Sequence, residues 1–332
     1  MLLSKFVESV MKTCTCTGFA PSWAGRDVIA VVTGATRGFG ACLSQEIVRL
    51  LCAKEETAPK SISLFLVGRN EEKLLSNKQV IEGSKPNAKT SINVFVDPTM
   101  LIDFGNASEQ EMEKCIDTVA KFAKNYESNN ELHLLFNNVG TVGDLDKKAH
   151  EMKNISYLDQ YTRVNFTSMV IFTSMYLEKI KPVTDDKLKE RLLCVVNISS
   201  LCALVPFVNM AEYCSIKAAR TMFMRCLATD RDDIFCLNYG PGPLKTDMFQ
   251  ELLNIKDAHA SKQFKQMVLD DRVINPSESA RECISWLGYL DNSTPSKHGI
   301  LCEEHHAGVI GMFTGSQLDY FDGKELPNPF RS

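Results

Sequence analysis

The sequence predicts an α/β fold: a single doubly wound domain on a parallel seven-stranded sheet, with helices on both faces. Three observations carry this. Short, uniformly apolar runs recur, of which Asp27-Val-Ile-Ala-Val-Val-Thr33 is the clearest, as expected of strands buried on both faces. Strand-like and helical stretches alternate, with no internal repeat and no linker to divide them. Glycine-rich turns stand at strand ends, first at Gly34-Ala35-Thr36-Arg37-Gly38-Phe39-Gly40.

Size and composition agree with one globular unit. The chain has 332 residues, 44% hydrophobic and 23% charged, enough for a real core. A net charge of −4 gives no argument for nucleic acid or an anionic membrane as partner. There is no apolar run of the ~20 residues needed to span a bilayer. The 12 cysteines include no C-x-x-C pair, and Cys194 and Cys236 lie inside apolar runs, so a reducing, cytoplasmic location is expected. No metal site is expected. Cys14-x-Cys16 has no histidine nearby, and His305-His306 beside Glu303-Glu304 reads as a polar loop.

In chain order, residues 1–26 lack the continuous apolar core of a signal peptide and read as an extension before a domain at 27–322. The first strand, 27–33, feeds the glycine turn and a helix over 41–52. Strand, glycine turn and helix form the context in which backbone N–H groups cradle a pyrophosphate. The spacing is G-x-x-x-G-x-G and no G-K-[ST] follows, which argues against a P-loop. The second strand, 61–67, ends at Gly68-Arg69-Asn70. No acid stands there to hold a ribose 2′-hydroxyl. Arg69 and Arg37 instead suit a 2′-phosphate, favouring NADP(H) over NAD(H).

The third strand, 92–96, leads through Asp103-Phe104-Gly105 to a charged helix over 108–125. The fourth, 132–136, closes on Asn137-Asn138-Val139-Gly140, residues suited to a sharp turn beneath a cofactor. A helical region over 157–179 carries Asn165. Strand five spans 192–198 and strand six 234–239, the latter ending in Gly240-Pro-Gly242-Pro-Leu244-Lys245-Thr246-Asp247-Met248-Phe249. Residues 246–273 read either as helices covering a substrate or as a surface excursion. A helix over 277–290, a loop insertion at 291–311 and a last strand near 315–321 complete the fold, followed by a tail, 323–332.

The chemistry is concentrated after strand five. Tyr213 and Lys217 are four apart and share a helix face. A cation beside a phenol favours the phenolate, so Tyr213 is read as a general acid/base with its pKa lowered by Lys217. Ser200, at the end of the strand, is placed to hold a carbonyl oxygen that Tyr213 protonates.

Together these residues resemble the short-chain dehydrogenase/reductase family over about residues 27–322, and so imply a Rossmann-type fold. The glycine turn, the Asn137–Gly140 turn, Asn165, Ser200, Tyr213 and Lys217 fall in the family's order. Val139 departs from its usual alanine. The resemblance implies catalytic roles for Ser200, Tyr213, Lys217 and Asn165, the last holding a water that links Lys217 to solvent. It also implies a homodimer formed through long helices.

A narrower similarity, to the reductases of pterin side-chain ketones in tetrahydrobiopterin synthesis, lies in Ser199–Phe207, Tyr213–Arg220 and Leu237–Met248. It implies NADPH as cofactor, lined by Gly34–Gly40, Arg69, Asn70, Asp103, Phe104, Asn138, Gly140, Tyr213, Lys217 and Leu244, Lys245, Thr246, Asp247, Met248 and Phe249. Asp97 is a second candidate beside Asp103. It implies a pterin ketone held by Ser200, Tyr213, Gly242 and Asp319, whose carboxylate suits an amino-amide edge. Lys245, the insertion and the extension depart from that pattern. Two alternatives stay open: a general NADPH carbonyl reductase, and a non-catalytic NADPH-sensing regulator.

Overall fold

Alternate residues of β1 (Asp27–Thr33) face opposite sides of the sheet: Val28, Ala30 and Val32 enter one buried cluster, Ile29 and Val31 another. That two-sided burial is why the strand is apolar at every central position. The computed structural model describes residues 21–84, 89–125, 130–181, 190–290 and 314–321. Within these, seven parallel strands lie in the order β3-β2-β1-β4-β5-β6-β7. The others are β2 (Ser61–Val67), β3 (Ser91–Phe95), β4 (Asn130–Asn137), β5 (Glu190–Ile198), β6 (Phe235–Gly240) and β7 (Thr314–Asp319).

Helices cover both faces. Against Val28, Ala30 and Val32 pack α1 (Gly38–Leu51), through Leu43, Ile47 and Leu51, α2 (Glu71–Gly83), through Leu74 and Ile81, and α9 (Pro276–Trp286), through Cys283 and Ile284. The opposite face receives α3 (Glu109–Asn125), α5 (Ser168–Lys179) and α6 (Ala211–Asp230), through Cys115, Ile116, Phe172, Tyr176 and Met224. Each fully buried side chain of this size contributes about 1.5–3 kcal/mol, so the two clusters hold the sheet from both sides. Ahead of α5, α4 (Ile155–Thr162) continues through a π-helical turn, Arg163–Thr167.

The predicted α/β architecture is present, with instructive differences. β4 and β5 begin earlier than their apolar runs because Glu131 pairs with Arg191 across the strands, Arg191 Nε donating to Glu131 Oε2 at 2.6 Å. The helix α2 has no clear sequence pattern, since only Leu74, Asn77 and Ile81 are buried. β7 ends at Asp319; Tyr320 and Phe321 turn into a helical conformation, and Tyr320 OH donates to Glu278 at 2.5 Å. Residues 21–26 belong with the domain: Trp23 is 3% exposed in the core, and Ser22 donates to the carbonyls of Gly288 and Leu287.

The 291–311 insertion, the tail, Cys14, Cys16, His305 and His306 lie outside the described residues. Among the described residues no helix is long and apolar enough to cross a membrane, and no group of three or more His, Cys, Asp or Glu side chains could hold a metal ion.

Two short helices follow β6: α7 (Asp247–Leu253) and α8 (Ala258–Leu269). Phe249, Leu252 and Phe264 form a third apolar cluster with Val142, Met210 and Tyr213. Of the two readings of residues 246–273, the structure supports a cover over a cleft.

Candidate active site

The strand order reverses between β1 and β4, where connections leave to opposite sides and open a crevice at the strands' carboxyl ends. A cleft of about 690 Å³ lies there. Its floor is the glycine turn. Gly34 and Gly38 have φ of 71° and 55°, the left-handed region open to glycine. A Cβ on Gly40 would collide with the Gly34 carbonyl and the Asn138 amide. Asn138 Nδ2 donates to Thr33 O at 2.9 Å, and the Asn138 N–H to Thr33 Oγ1 at 3.0 Å, splinting the turn. Helix α1 starts at Gly38 with no side-chain cap and no acid in its first turn, which leaves its N–H groups to an anion from the cleft. The cradle fits a dinucleotide pyrophosphate.

Around this floor stand Thr36, Arg37, Phe39, Arg69, Asp103, Phe104, Gly140, Leu244, Thr246, Met248 and Phe249. Arg37 is ion-paired with Asp247, both side chains largely exposed, so the pair bridges the glycine turn and the start of α7. The structure places the two candidate aspartates differently. Asp97 caps the short helix Pro98–Met100, accepting from the Thr99 N–H at 2.8 Å, whereas Asp103 lines the cleft. Val139 packs partly buried against the core, so the extra methyls are accommodated. Three residues expected at the cofactor are off the wall. Ala35 is fully buried, Asn70 caps α2 by accepting from the Lys73 N–H at 2.9 Å, and the Lys245 N–H bonds to Ile274 O.

Tyr213 and Lys217 share one face of α6, as their spacing predicts, and are 8% and 4% exposed. Lys217 Nζ donates to Ile198 O at 2.7 Å and lies 5.4 Å from the centre of the Tyr213 ring. Tyr213 and Ser200 both face the cleft. The electrostatics differ from the expectation that Lys217 depresses the phenol. Burial pushes Tyr213 up, the neighbouring Cys202 adds to this, and the opposing pull comes from Arg220 and Ser200. Burial pushes Lys217 well down, and Arg220 adds to the effect. A buried ammonium beside a buried guanidinium is a weaker lever than spacing alone suggests.

Arg220 is the residue that sequence reasoning misses. It is 1% exposed and donates to Asn197 Oδ1 at 2.8 Å, Val139 O at 2.7 Å, Asn165 O at 3.3 Å and Asn137 O at 2.6 Å. Burial lowers its pKa to about 10. Asn165 sits in the π-turn; its Oδ1 accepts from the Thr141 N–H at 2.8 Å and its Nδ2 donates to Tyr161 O at 3.0 Å. A Cβ on Gly140 would meet Asn165 Oδ1 at 3.2 Å, Arg220 Nη1 at 3.7 Å and Lys217 Nζ at 3.9 Å, so these three groups converge beneath Gly140.

At the other end of the cleft lie Gly242, with φ of 77°, and Asp319. Asp319 pairs with Gly240 across β6 and β7, where any Cβ on Gly240 would strike its carboxylate. Gln317, also unremarked in the sequence, donates from Nε2 to Ser200 O at 2.9 Å and lies 3.3 Å from Asp319 Oδ2. One amide thus links the serine's backbone to the carboxylate. Phe207, Met210, Leu252, Phe264 and Met267 make the intervening wall apolar.

A family model for the short chain dehydrogenases matches residues 28–256. The chain is 30% identical to sepiapterin reductase of Mus musculus over 267 residues, covering 80% of this chain and 92% of that protein. It is 27% identical to a benzil reductase, (S)-benzoin forming, of Bacillus subtilis over 139 residues, 40% of this chain and 54% of that one. Among solved structures, a single-substitution variant of actinorhodin polyketide ketoreductase with NADPH superposes with a TM-score of 0.60 at 19% identity, covering 88% of this chain and 95% of that one.

Proposed function

The chain belongs to the short-chain dehydrogenase family, and we propose that it reduces the side-chain ketone of a pterin at the expense of NADPH. The observation that carries this reading is that Ser200, Tyr213 and Lys217 line the same cleft as Asp319. The reduced dinucleotide, when bound, supplies the hydride equivalent that the ketone carbon accepts. Gly34–Gly40 and the first turn of α1 would hold its pyrophosphate, and Arg37 and Arg69 its 2′-phosphate.

The chain's own residues do the rest. Ser200 hydrogen-bonds the ketone oxygen and fixes its direction. Tyr213, kept protonated by burial, donates its proton as charge develops on that oxygen. Lys217 and Asn165, converging beneath Gly140, form the return path for a proton. Asp319 accepts the N–H groups of the pterin's amino-amide edge, supported by Gln317. The sepiapterin reductase likeness supports the pterin as substrate.

The test is NADPH consumption with sepiapterin against a simple diketone, in the wild type and Asp319→Ala. Selective loss of sepiapterin turnover is the expected result. The apolar wall and the benzil reductase likeness favour a second reading, a general carbonyl reductase; equal effects of Asp319→Ala on both substrates would select it. We further assign a homodimer through α3 and the α4–α5 helical segment, checked by sedimentation, and a cytoplasmic location.

A further inference from the structure

Beyond Asp319 the cleft ends at an aromatic ring for which the proposed chemistry has no role. Phe321 lies two residues past Asp319 and lines the same cleft. It is 37% exposed, whereas Phe39, Phe104, Phe249 and Phe264 of the same cleft are buried. A ring left that open inside a cleft has apolar surface still to cover.

Its neighbours fix its place. The Tyr320 ring meets it edge-on, with centroids 5.3 Å apart and planes at 79°, and Tyr320 is itself buried and anchored to Glu278 through its hydroxyl. A Cβ on Gly242 would lie 3.6 Å from Phe321 Cε2, so the ring rests against the backbone there.

Arg272 reaches the ring from the end of α8. Asp271 adopts a left-handed conformation with φ of 50°. Its N–H bonds to Val268 O at 3.2 Å and the Arg272 N–H to Met267 O at 2.9 Å, the pair of bonds that closes a helix and turns the chain off its axis. The guanidinium carbon then stands 5.2 Å from the centre of the Phe321 ring, and Arg272 also lines the cleft. Among the described residues this guanidinium enters no ion pair; the ring is what it lies on.

We propose that Phe321 and Arg272 form a stacking platform, and that the cleft selects ketones carried on a planar, conjugated ring. A phenyl face and a guanidinium plane both offer flat contact to such a ring, and the cation attracts its π face. A puckered, saturated ring of the same size has as much apolar area to bury but cannot lie flat. A ring seated there lies beside the Asp319 carboxylate, which takes its N–H edge where it has one. The platform names a ring class that pterin and aryl ketones share. The preference in turnover rests on the reductase reading; binding of the ring does not.

The experiment follows NADPH consumption by the full-length protein with 1-phenyl-1,2-propanedione and with 1-cyclohexyl-1,2-propanedione. Each variant is read as a change in the ratio of the two kcat/KM values, so the ketones' intrinsic reactivities cancel. Phe321→Leu should lower the phenyl-to-cyclohexyl ratio by ~2–10-fold, through KM, and Phe321→Trp should restore it. Arg272 is exposed, so Arg272→Gln spares the core and should lower the ratio by ~2–5-fold. Equal losses for both ketones, or a loss in kcat alone, overturn the platform. Benzamide and cyclohexanecarboxamide, which have no ketone to reduce, test binding by ligand-observed NMR. Benzamide should bind more tightly, and Phe321→Leu should erase the difference; no difference in the wild type overturns the proposal. The expected binding result in a protein that reduces neither ketone leaves the platform standing and removes the reductase reading.

Discussion

Arg220 donates from Nη2 to the main-chain oxygen of Asn137 at 2.6 Å, tying α6 to the end of β4. The same guanidinium holds Val139 and Asn165 by their carbonyls and Asn197 by its side chain, two residues before Ser199. One buried fork therefore sets the Asn137–Gly140 turn at the cleft, the π-turn and the strand that leads to Ser200. Arg220→Met strands these acceptors in the interior at about 1–3 kcal/mol each, not fully additive, so unfolding free energy should fall by about 3 kcal/mol or more. Denaturant titration reads this directly. Arg220→Lys should recover only part, because one ammonium cannot span the fork.

Tyr213→Phe removes the proposed proton donor and leaves the glycine cradle untouched. Turnover should drop by ~10²–10⁴-fold while the affinity for NADPH, measured by fluorescence titration, stays close to wild type. Near-normal turnover would take the proton transfer away from Tyr213.

The Arg37–Asp247 pair makes a prediction of opposite sign to the usual loss. A 2′-phosphate must draw Arg37 away from Asp247. Asp247→Asn should therefore tighten NADPH by ~2–5-fold, the worth of an exposed ion pair, with NADH little changed. Arg37→Gln or Arg69→Gln should weaken NADPH by ~10–100-fold more than NADH. Equal losses for the two dinucleotides would show that neither arginine meets the 2′-phosphate.

Acid lability should originate at one buried pair. His133 Nε2 lies 2.9 Å from Glu131 Oε2, and burial holds the imidazole below its ordinary 6.5. Glu131 is also held below its ordinary 4.5, its burial outweighed by hydrogen bonds from His133 and Arg191. Below these values the unfolded chain binds more protons than the folded one, so stability falls with pH. The melting temperature should be flat above pH 6.5 for this pair, decline below it, and decline faster below 4.5. In His133→Gln the first decline should disappear and the second remain.

Much of this arrangement is legible in the chain itself. β1 and β2 carry their burial at every position, so their apolar runs mark their ends. Tyr213 and Lys217 announce a shared helix face by spacing alone, and the glycine turn announces a close backbone approach. What stays hidden depends on groups supplied from far away. Arg220 reads as a solvated residue until carbonyls 55 to 83 positions upstream close around it. Gln317 gains meaning only when β7 lies beside β6 and brings it to Ser200, 117 residues before it. The sign at Lys217 is hidden for the same reason: spacing gives its distance from the phenol, but not the burial and the second cation that weaken its charge.

The seating of Ser22 on the carbonyls of Leu287 and Gly288 bears on how this protein emerges from the ribosome. Translation makes the first partner early and the second more than 260 residues later. The β1–α1 unit of the nascent chain must wait, with Ser22 lacking both acceptors, until residues 287 and 288 have left the exit tunnel. Mutations or truncations near residue 287 should therefore be felt first as slow maturation of the amino-terminal end, and chaperone demand should concentrate there.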